Sequence, residues 1–345
     1  MIPIVGLKID RQPDGHCPGM KHLDVDDLGT ISRVGLGTWQ FGSTEWGYGA
    51  GYAGEEARLI VRRALELGVT FFDTAEIYGF GRSERILAEA LGDDRDRVVV
   101  ASKIFPLAPF PPVVRSRAHG SGKRLQLKTI PLYQVHQPNP LVSDKVIMGG
   151  MRDLLDEHTI SAVGVSNYSL KRWRAADTAL GKPVVSNQVE FSLANSAPLH
   201  DLVPFARENN RIVIAYSPLT QGLLGGKYGP DNRPGGVRAL NRYFGTENLE
   251  RIAPLLDTLR QVAAAHDAKP AQIALAWLLA QPQVVVIPGA SSVEQLEFNV
   301  EAADLDLAAD EVEALTEAAL AFSPRSFART TLDSMGDKVK HAVGR

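Results

Sequence analysis

Short apolar runs alternate with amphipathic stretches along most of the chain. Eight runs, at residues 33–37, 69–73, 97–103, 130–136, 161–165, 184–190, 211–217 and 284–288, read as strands. Within them VTFF, VVVAS, IVIAY and VVVIP are continuously apolar, as expected of strands covered on both faces. Between them EEARLIVRRALELG, SERILAEALG, LHDLVPFARENN and PAQIALAWLLAQ repeat apolar positions every three to four residues, the period of a helix with a buried face. Punctuation supports this: Ser83 is placed to N-cap one helix, Gly68 follows the end of another, and Pro270 suits a first helical turn. Alternating strand and helix predicts parallel strands joined by helical crossovers. No Pro-, Ser- or Gly-rich linker divides the series, so the expected fold is α/β, a (β/α)8 TIM barrel in one domain. Two stretches rich in Pro, Gly or basic residues, 105–122 and 225–243, break the rhythm and are expected on the C-terminal face, where barrels place their chemistry.

Function must then be sought in the polar residues at the strand ends. Strand two ends FFDTAEIYG, strand three VVVASKIF, strand four LYQVHQP and strand five VGVSNYS, while strand six carries SNQVEFS. Reducing a carbonyl needs a hydride on carbon and a proton on oxygen, hence a general acid effective near neutrality. Tyr78 is a candidate, but a free phenol has a pKa of about 10. Lys103, on the next strand, would favour the phenolate and lower that value, with Asp73 balancing the ammonium. His136 would donate a hydrogen bond to the substrate oxygen or share its proton as a neutral imidazole. Taken alone, such an Asp is most often a turn residue, the Lys solvated, and the Tyr or His packing. Four such groups at the ends of three successive strands are much harder to explain as packing.

Composition changes this little. With 345 residues, 44% apolar, 22% charged and a net charge of −3, the chain has the makeup of a globular enzyme. Nothing in that charge calls for nucleic acid or an anionic membrane as partner. No apolar run approaches the roughly 20 residues of a membrane span, and residues 1–19 lack the pattern of an export signal. The single Cys17 forms no internal disulfide and excludes cysteine-built metal sites, so a cytoplasmic location and no metal are expected.

The ordered segments GLGTWQFG, FFDTAEIYG, ASK, LYQVH, GVSNYS, NQVEFS, AYSPLTQGLLGGKY and IPGASSVEQL resemble the aldo-keto reductase superfamily, from about Met20 to Leu307. The resemblance implies reduction of an aldehyde or ketone, with Tyr78 as general acid, Lys103 lowering its pKa, Asp73 partnering Lys103, and His136 orienting the carbonyl. It implies a nicotinamide dinucleotide lying extended across the barrel mouth, held by loops. Ser166, Asn167 and Gln188 would bond the nicotinamide amide, and Tyr216 would stack on its ring. The loop of Ser217, Pro218, Leu219, Gln221, Gly222 and Leu223, with Lys227, would wrap the pyrophosphate. Pro288, Gly289, Ala290, Ser291, Ser292, Gln295 and Asn299 would hold the adenosine end. Gly37, Thr38 and Trp39, ending strand one, with Asp73, would lie near the nicotinamide ribose. Trp39, Trp46, Tyr48 and Phe105 would wall the substrate pocket around Tyr78 and His136. An N-terminal β-hairpin is implied from Met20. Residues 1–19 are expected to be a flexible extension, 20–322 the barrel and 323–345 a tail.

Two departures accompany the match. Where many relatives carry a cation for the 2′-phosphate of NADP, this chain has Ser291, Ser292 and Gln295, with Phe298 at a commonly acidic position. Arg238, in the loop after Lys227, is the expected substitute, making NADP the expected cofactor with NAD still open. Gly120 and Gly122 are expected to weaken the helix before strand four by about 1 kcal/mol each, and Pro131 removes a strand donor. Some family members, such as potassium-channel β subunits, serve as cofactor-binding partners with little turnover; the complete tetrad favours catalysis. A barrel aldolase or hydrolase using Lys103 as a Schiff-base nucleophile explains the lysine but not Ser166, Asn167, Gln188 and Tyr216 together.

Overall fold

The computed structural model describes residues 19–42 and 52–325. An antiparallel hairpin comes first, β1 (His22–Val25) and β2 (Gly29–Ser32). Eight parallel strands follow: β3 (Leu36–Gly37), β4 (Phe71–Asp73), β5 (Val99–Ile104), β6 (Ile130–Val135), β7 (Ile160–Ser166), β8 (Ser186–Glu190), β9 (Ile212–Tyr216) and β10 (Val284–Val286). Each pairs with its neighbour in chain order. The first and last meet as well: Val34 bridges Val286 and Gly37 bridges Gly289, with Gly35 N donating to Val286 O at 2.8 Å and Val286 N to Arg33 O at 2.9 Å. Those bonds close the sheet into a (β/α)8 barrel. All eight strands expected from the sequence form, their ends displaced by no more than three residues.

The core has two layers. Phe71, Ala101, Leu132, Ala162, Ile214 and Val285 fill the barrel, together with Val25 and Ile31 of the hairpin. Reciprocal bonds between Ser32 and Thr70, just before β4, hold the hairpin at the N-terminal end, so it closes that end and leaves the other open. A larger cluster, including Leu87, Met148, Trp173 and Trp277, fills the space between strands and helices.

Three local expectations change. The helix before strand four, expected to be weakened by Gly120 and Gly122, runs unbroken through both, from Pro111 to Leu125. Pro111 starts it, Gln126 ends it in a left-handed conformation, and Val114, Ala118 and Leu125 are buried beneath it. Tertiary burial there outweighs glycine's poor helix propensity. Ser83 does not cap its helix, which begins after Gly81 with no side-chain cap; its buried hydroxyl donates to Thr38 O at 2.7 Å and contacts the Thr38 and Thr74 hydroxyls. The helix Pro270–Ala280 has no polar face, since every residue from Ala271 to Leu279 is buried. Gly68, at φ 78°, follows its helix end as expected, and Pro270 opens its helix. Pro131 is accommodated at the start of β6, where Ile130 and Leu132 on either side carry the pairing to β7.

Candidate functional site

Side chains alternate along a strand, so the inward set Phe71, Ala101 and Leu132 continues upward as Asp73, Lys103 and, two steps on, His136. Their convergence at the open end follows from strand parity. Lys103 Nζ donates to Asp73 Oδ1 at 2.6 Å and to Thr74 O at 2.8 Å, and lies 3.4 Å from Tyr78 Oη. Gln188, from β8, donates through Nε2 to the other carboxylate oxygen of Asp73 at 2.8 Å. Lys103 is wholly buried and Asp73 nearly so. A buried pair of this kind is costly to desolvate and strongly destabilising to break; the carbonyl of Thr74 and the amide of Gln188 offset part of that cost.

Tyr78 is carried by the loop after β4, pressed against the one-turn helix Trp39–Gly42. A Cβ on Gly42 would come within 2.6 Å of the Tyr78 backbone, and one on Gly79 would strike Gly42 in turn. Only glycine at both positions permits that approach. His136 follows β6, its amide donating to Ile104 O at 2.9 Å. Its ring meets Tyr78 edge-on at 5.7 Å and Phe105 at 6.2 Å. Its Nδ1 is buried without a hydrogen-bond partner.

The electrostatics correct one expectation. Burial pushes the Tyr78 phenol above its ordinary value, with Lys103 opposing the rise and Asp73 adding to it; the net shift is upward, not downward, because desolvation outweighs the cation. Burial also opposes the charge on Lys103, yet Asp73 and Tyr78 together leave its pKa raised. Burial, then Lys103, pull His136 down to about 3, so its imidazole is neutral at physiological pH. A permanently charged Lys103 is a poor amine nucleophile, which weighs against Schiff-base chemistry.

Above this floor opens a cleft of about 690 Å³. Its walls carry Gly37, Trp39, Asp73, Tyr78, His136, Ser166, Asn167, Gln188 and Tyr216 near the floor, and Ser217, Pro218, Leu219, Gln221, Gly222, Lys227 and Arg238 from the segment after β9. The loop after β10 and the helix beyond it add Pro288, Gly289, Ala290, Ser291 and Gln295. Four expected cofactor residues do not line it. Thr38 is buried and donates to Asp73 O; Leu223 is fully buried; Ser292 caps the helix Val293–Val300; Asn299 lies behind the wall, its amide donating to Gly289 O. Phe105 reaches the site through the His136 ring without lining the cleft. Trp46, Tyr48 and Cys17 fall outside the described residues.

The residues expected to meet the nicotinamide amide are hydrogen-bonded to one another. Ser166 Oγ donates to Gln188 O, Asn167 Nδ2 to Ser166 Oγ, and Tyr216 Oη to Asn167 Oδ1. Sequence reasoning missed Gln40, Gln137, Tyr228 and Ile287, which also line the cleft. Gln40, directly after Trp39 in GTWQFG, was detectable as a polar residue at a strand end; its Nε2 donates to Ala290 O. The link from Gln188 to Asp73 was missed too, since it spans 115 residues of sequence. Among the described residues no helix is long and apolar enough to cross a membrane, and no cluster of three or more His, Cys, Asp or Glu is arranged to hold a metal ion.

Comparison with known proteins places this geometry. An uncharacterized oxidoreductase of Mycobacterium tuberculosis is 69% identical over 93% of this chain and 99% of its own length. A probable aldo-keto reductase 1 of Glycine max is 31% identical over 84% of this chain and 89% of its own. Of solved structures, an aldo-keto reductase of Klebsiella pneumoniae in complex with NADPH matches at a TM-score of 0.71 and 26% identity, covering 89% of this chain and 97% of its own. The glycerol dehydrogenase of Gluconobacter oxydans matches at 0.78 and 26% identity, with the same coverage. The sequence profile of the Aldo/keto reductase family matches residues 33–320. The chain belongs to the aldo/keto reductase family and is an oxidoreductase.

Proposed function

We propose that this protein reduces an aldehyde or ketone to an alcohol with NADPH, Tyr78 delivering the proton. The observation that carries the reading is the chain Asp73–Lys103–Tyr78 beside a neutral His136, at the floor of a cleft of about 690 Å³. The residues fit such a cofactor. The cleft runs from the end of β6 to the helix beyond β10 and offers amides, hydroxyls and two cations, Lys227 and Arg238. His136, which lines the cleft, has its Nδ1 buried without a hydrogen-bond partner.

When bound, a reduced nicotinamide supplies the hydride. The phenol of Tyr78 is protonated at neutral pH, and the pull of Lys103 against its raised pKa is what favours release of the Oη proton to the carbonyl oxygen. Lys103, 3.4 Å away, then faces the phenolate charge, and Asp73 keeps the ammonium in place. The neutral imidazole of His136 would donate a ring N–H to the same oxygen. Because the group titrates only near 3, it acts as a neutral donor. Ser291 and Gln295 line the adenosine end of the cleft without charge, so Arg238 is assigned the 2′-phosphate, which calls for charge-assisted partners.

Cofactor oxidation should be followed across a panel of aldehydes and ketones, with NADPH and NADH in parallel. Turnover preferring NADPH is expected. Tight cofactor binding with no turnover on any carbonyl would overturn the reading in favour of a cofactor-binding partner module.

A further inference from the structure

Between Asp73 and Tyr78 in the motif DTAEIYG lies a charged residue that the proton-delivery chain does not use. Glu76 is nearly buried, and both its carboxylate oxygens are occupied. Oε1 accepts from Phe105 N at 2.6 Å and from Arg117 Nη2 at 2.6 Å; Oε2 accepts from Arg117 Nε at 2.9 Å. Arg117 also donates through Nη1 to Phe105 O at 2.7 Å. Both backbone polar groups of Phe105 are therefore taken by one ion pair. The Glu76 amide donates to Lys103 O at 3.3 Å.

The connections reach all three elements of the proton-delivery site. Glu76 shares the loop of Tyr78, Phe105 follows the strand of Lys103, and the Phe105 ring meets His136 edge-on. Arg117 comes from the second turn of the helix Pro111–Leu125, outside the barrel. A fork-to-fork arginine–carboxylate pair is among the most directional contacts available to side chains, and here it is largely shielded from water. Nothing in simple packing calls for a carboxylate between two site residues, since the neighbouring Ala75 is buried as an apolar group.

We propose that Glu76 and Arg117 are positioning residues for carbonyl reduction: by gripping the Phe105 backbone they fix the ring against His136 and hold the Tyr78 loop over Lys103. This inference rests on the reductase reading for its kinetic effect, and on geometry alone for its effect on His136. Neither side chain touches the substrate or the proton in flight. A displacement of about 1 Å at a reacting group can cost about a hundredfold in rate, so the pair controls turnover from outside the cleft.

The test uses the full-length chain and five variants: Glu76→Ala, Glu76→Gln, Arg117→Ala, the double Glu76→Ala/Arg117→Ala, and Arg115→Ala. Arg115 is on the same helix and, among the described residues, pairs with the surface acids Glu157 and Asp153. Glu76→Ala and Arg117→Ala should each lower kcat by about tenfold to a hundredfold, with the NADPH dissociation constant changed less than about twofold. The double variant should match the worse single, because the two act as one unit. Glu76→Gln, which keeps an acceptor for Phe105 N, should recover most of the loss, and Arg115→Ala should show none. Independently of turnover, the His136 ring protons in the NMR spectrum should shift in both alanine variants, from the displaced Phe105 ring, and remain in place in Arg115→Ala. Unshifted His136 signals, or a loss of thermal stability with kcat intact, would overturn the proposal. A wild type inactive on every carbonyl but with shifted His136 signals in the variants would instead overturn the reductase reading and leave the positioning role supported.

Discussion

The floor of the cleft and its long wall are built on different principles. At the floor, Asp73 and Lys103 are fixed by strand parity, paired at 2.6 Å and almost wholly buried; Gln188 gives Asp73, and Thr74 gives Lys103, a further partner. Along the wall, the segment from Ser217 to Phe244 is built of short 3-10 turns. Ser217, Thr220, Gln221 and Gly222 there all have positive φ. On the proposed function the floor serves one charge movement, while the wall offers many replaceable polar contacts. Loss of one group should therefore be catastrophic at the floor and graded along the wall.

Lys103→Met tests that contrast where the effect is largest. Without the ammonium, Asp73 remains buried beside Gln188 with no cation, so stability should fall by about 3–5 kcal/mol in urea denaturation, and turnover by about a thousandfold or more. A variant of near wild-type stability would show that the floor is less shielded than its geometry indicates. On the wall, Arg238→Ala should lower kcat/KM for NADPH by roughly tenfold to a hundredfold, the worth of a hydrogen bond to a charged group. Stability and NADH kinetics should be unchanged. Equal efficiency with both cofactors, unaffected by the substitution, would remove the phosphate role from Arg238.

His136 gives a smaller, pH-dependent effect. Its folded pKa, about 3, lies below the ordinary 6.5, so below about pH 6.5 the unfolded chain takes up a proton that the folded chain refuses. The contribution is complete above the unfolded value and is lost as pH falls toward the folded one. Between pH 7 and 5 the wild type should lose about 1–2 kcal/mol more than His136→Gln; equal losses in urea melts at the two pH values would show a solvated imidazole. The smallest effect expected is from deleting residues 1–19, which should leave kcat and KM within about twofold, far below the cost of misplacing a reacting group.

The same contrast explains what could be read in the sequence. The strands were legible because continuous runs such as VVVAS and IVIAY are buried on both faces, and the proximity of Asp73, Lys103, Tyr78 and His136 could be expected because they stand at or just after the ends of successive strands. What escaped depends on tertiary context. Desolvation decides the direction of the Tyr78 shift, and desolvation has no signature in residue order. The helix Pro111–Leu125 contains Gly120 and Gly122, so propensity argued for a weakened helix where burial of Val114 and Ala118 holds an unbroken one. Ser83 has the composition of a cap but is drawn inward by the Thr38 and Thr74 hydroxyls. Glu76 and Arg117 are 41 residues apart, and neither suggests the other until the barrel closes.

The central claim is that Tyr78 delivers the proton, and Tyr78→Phe tests it most directly because it removes one hydroxyl and keeps the ring against His136. With NADPH and the best carbonyl from the panel, single-turnover cofactor oxidation should slow by about a hundredfold to ten-thousandfold, with the NADPH dissociation constant unchanged. Oxidation at the wild-type rate in Tyr78→Phe would contradict the account and assign the proton to another group.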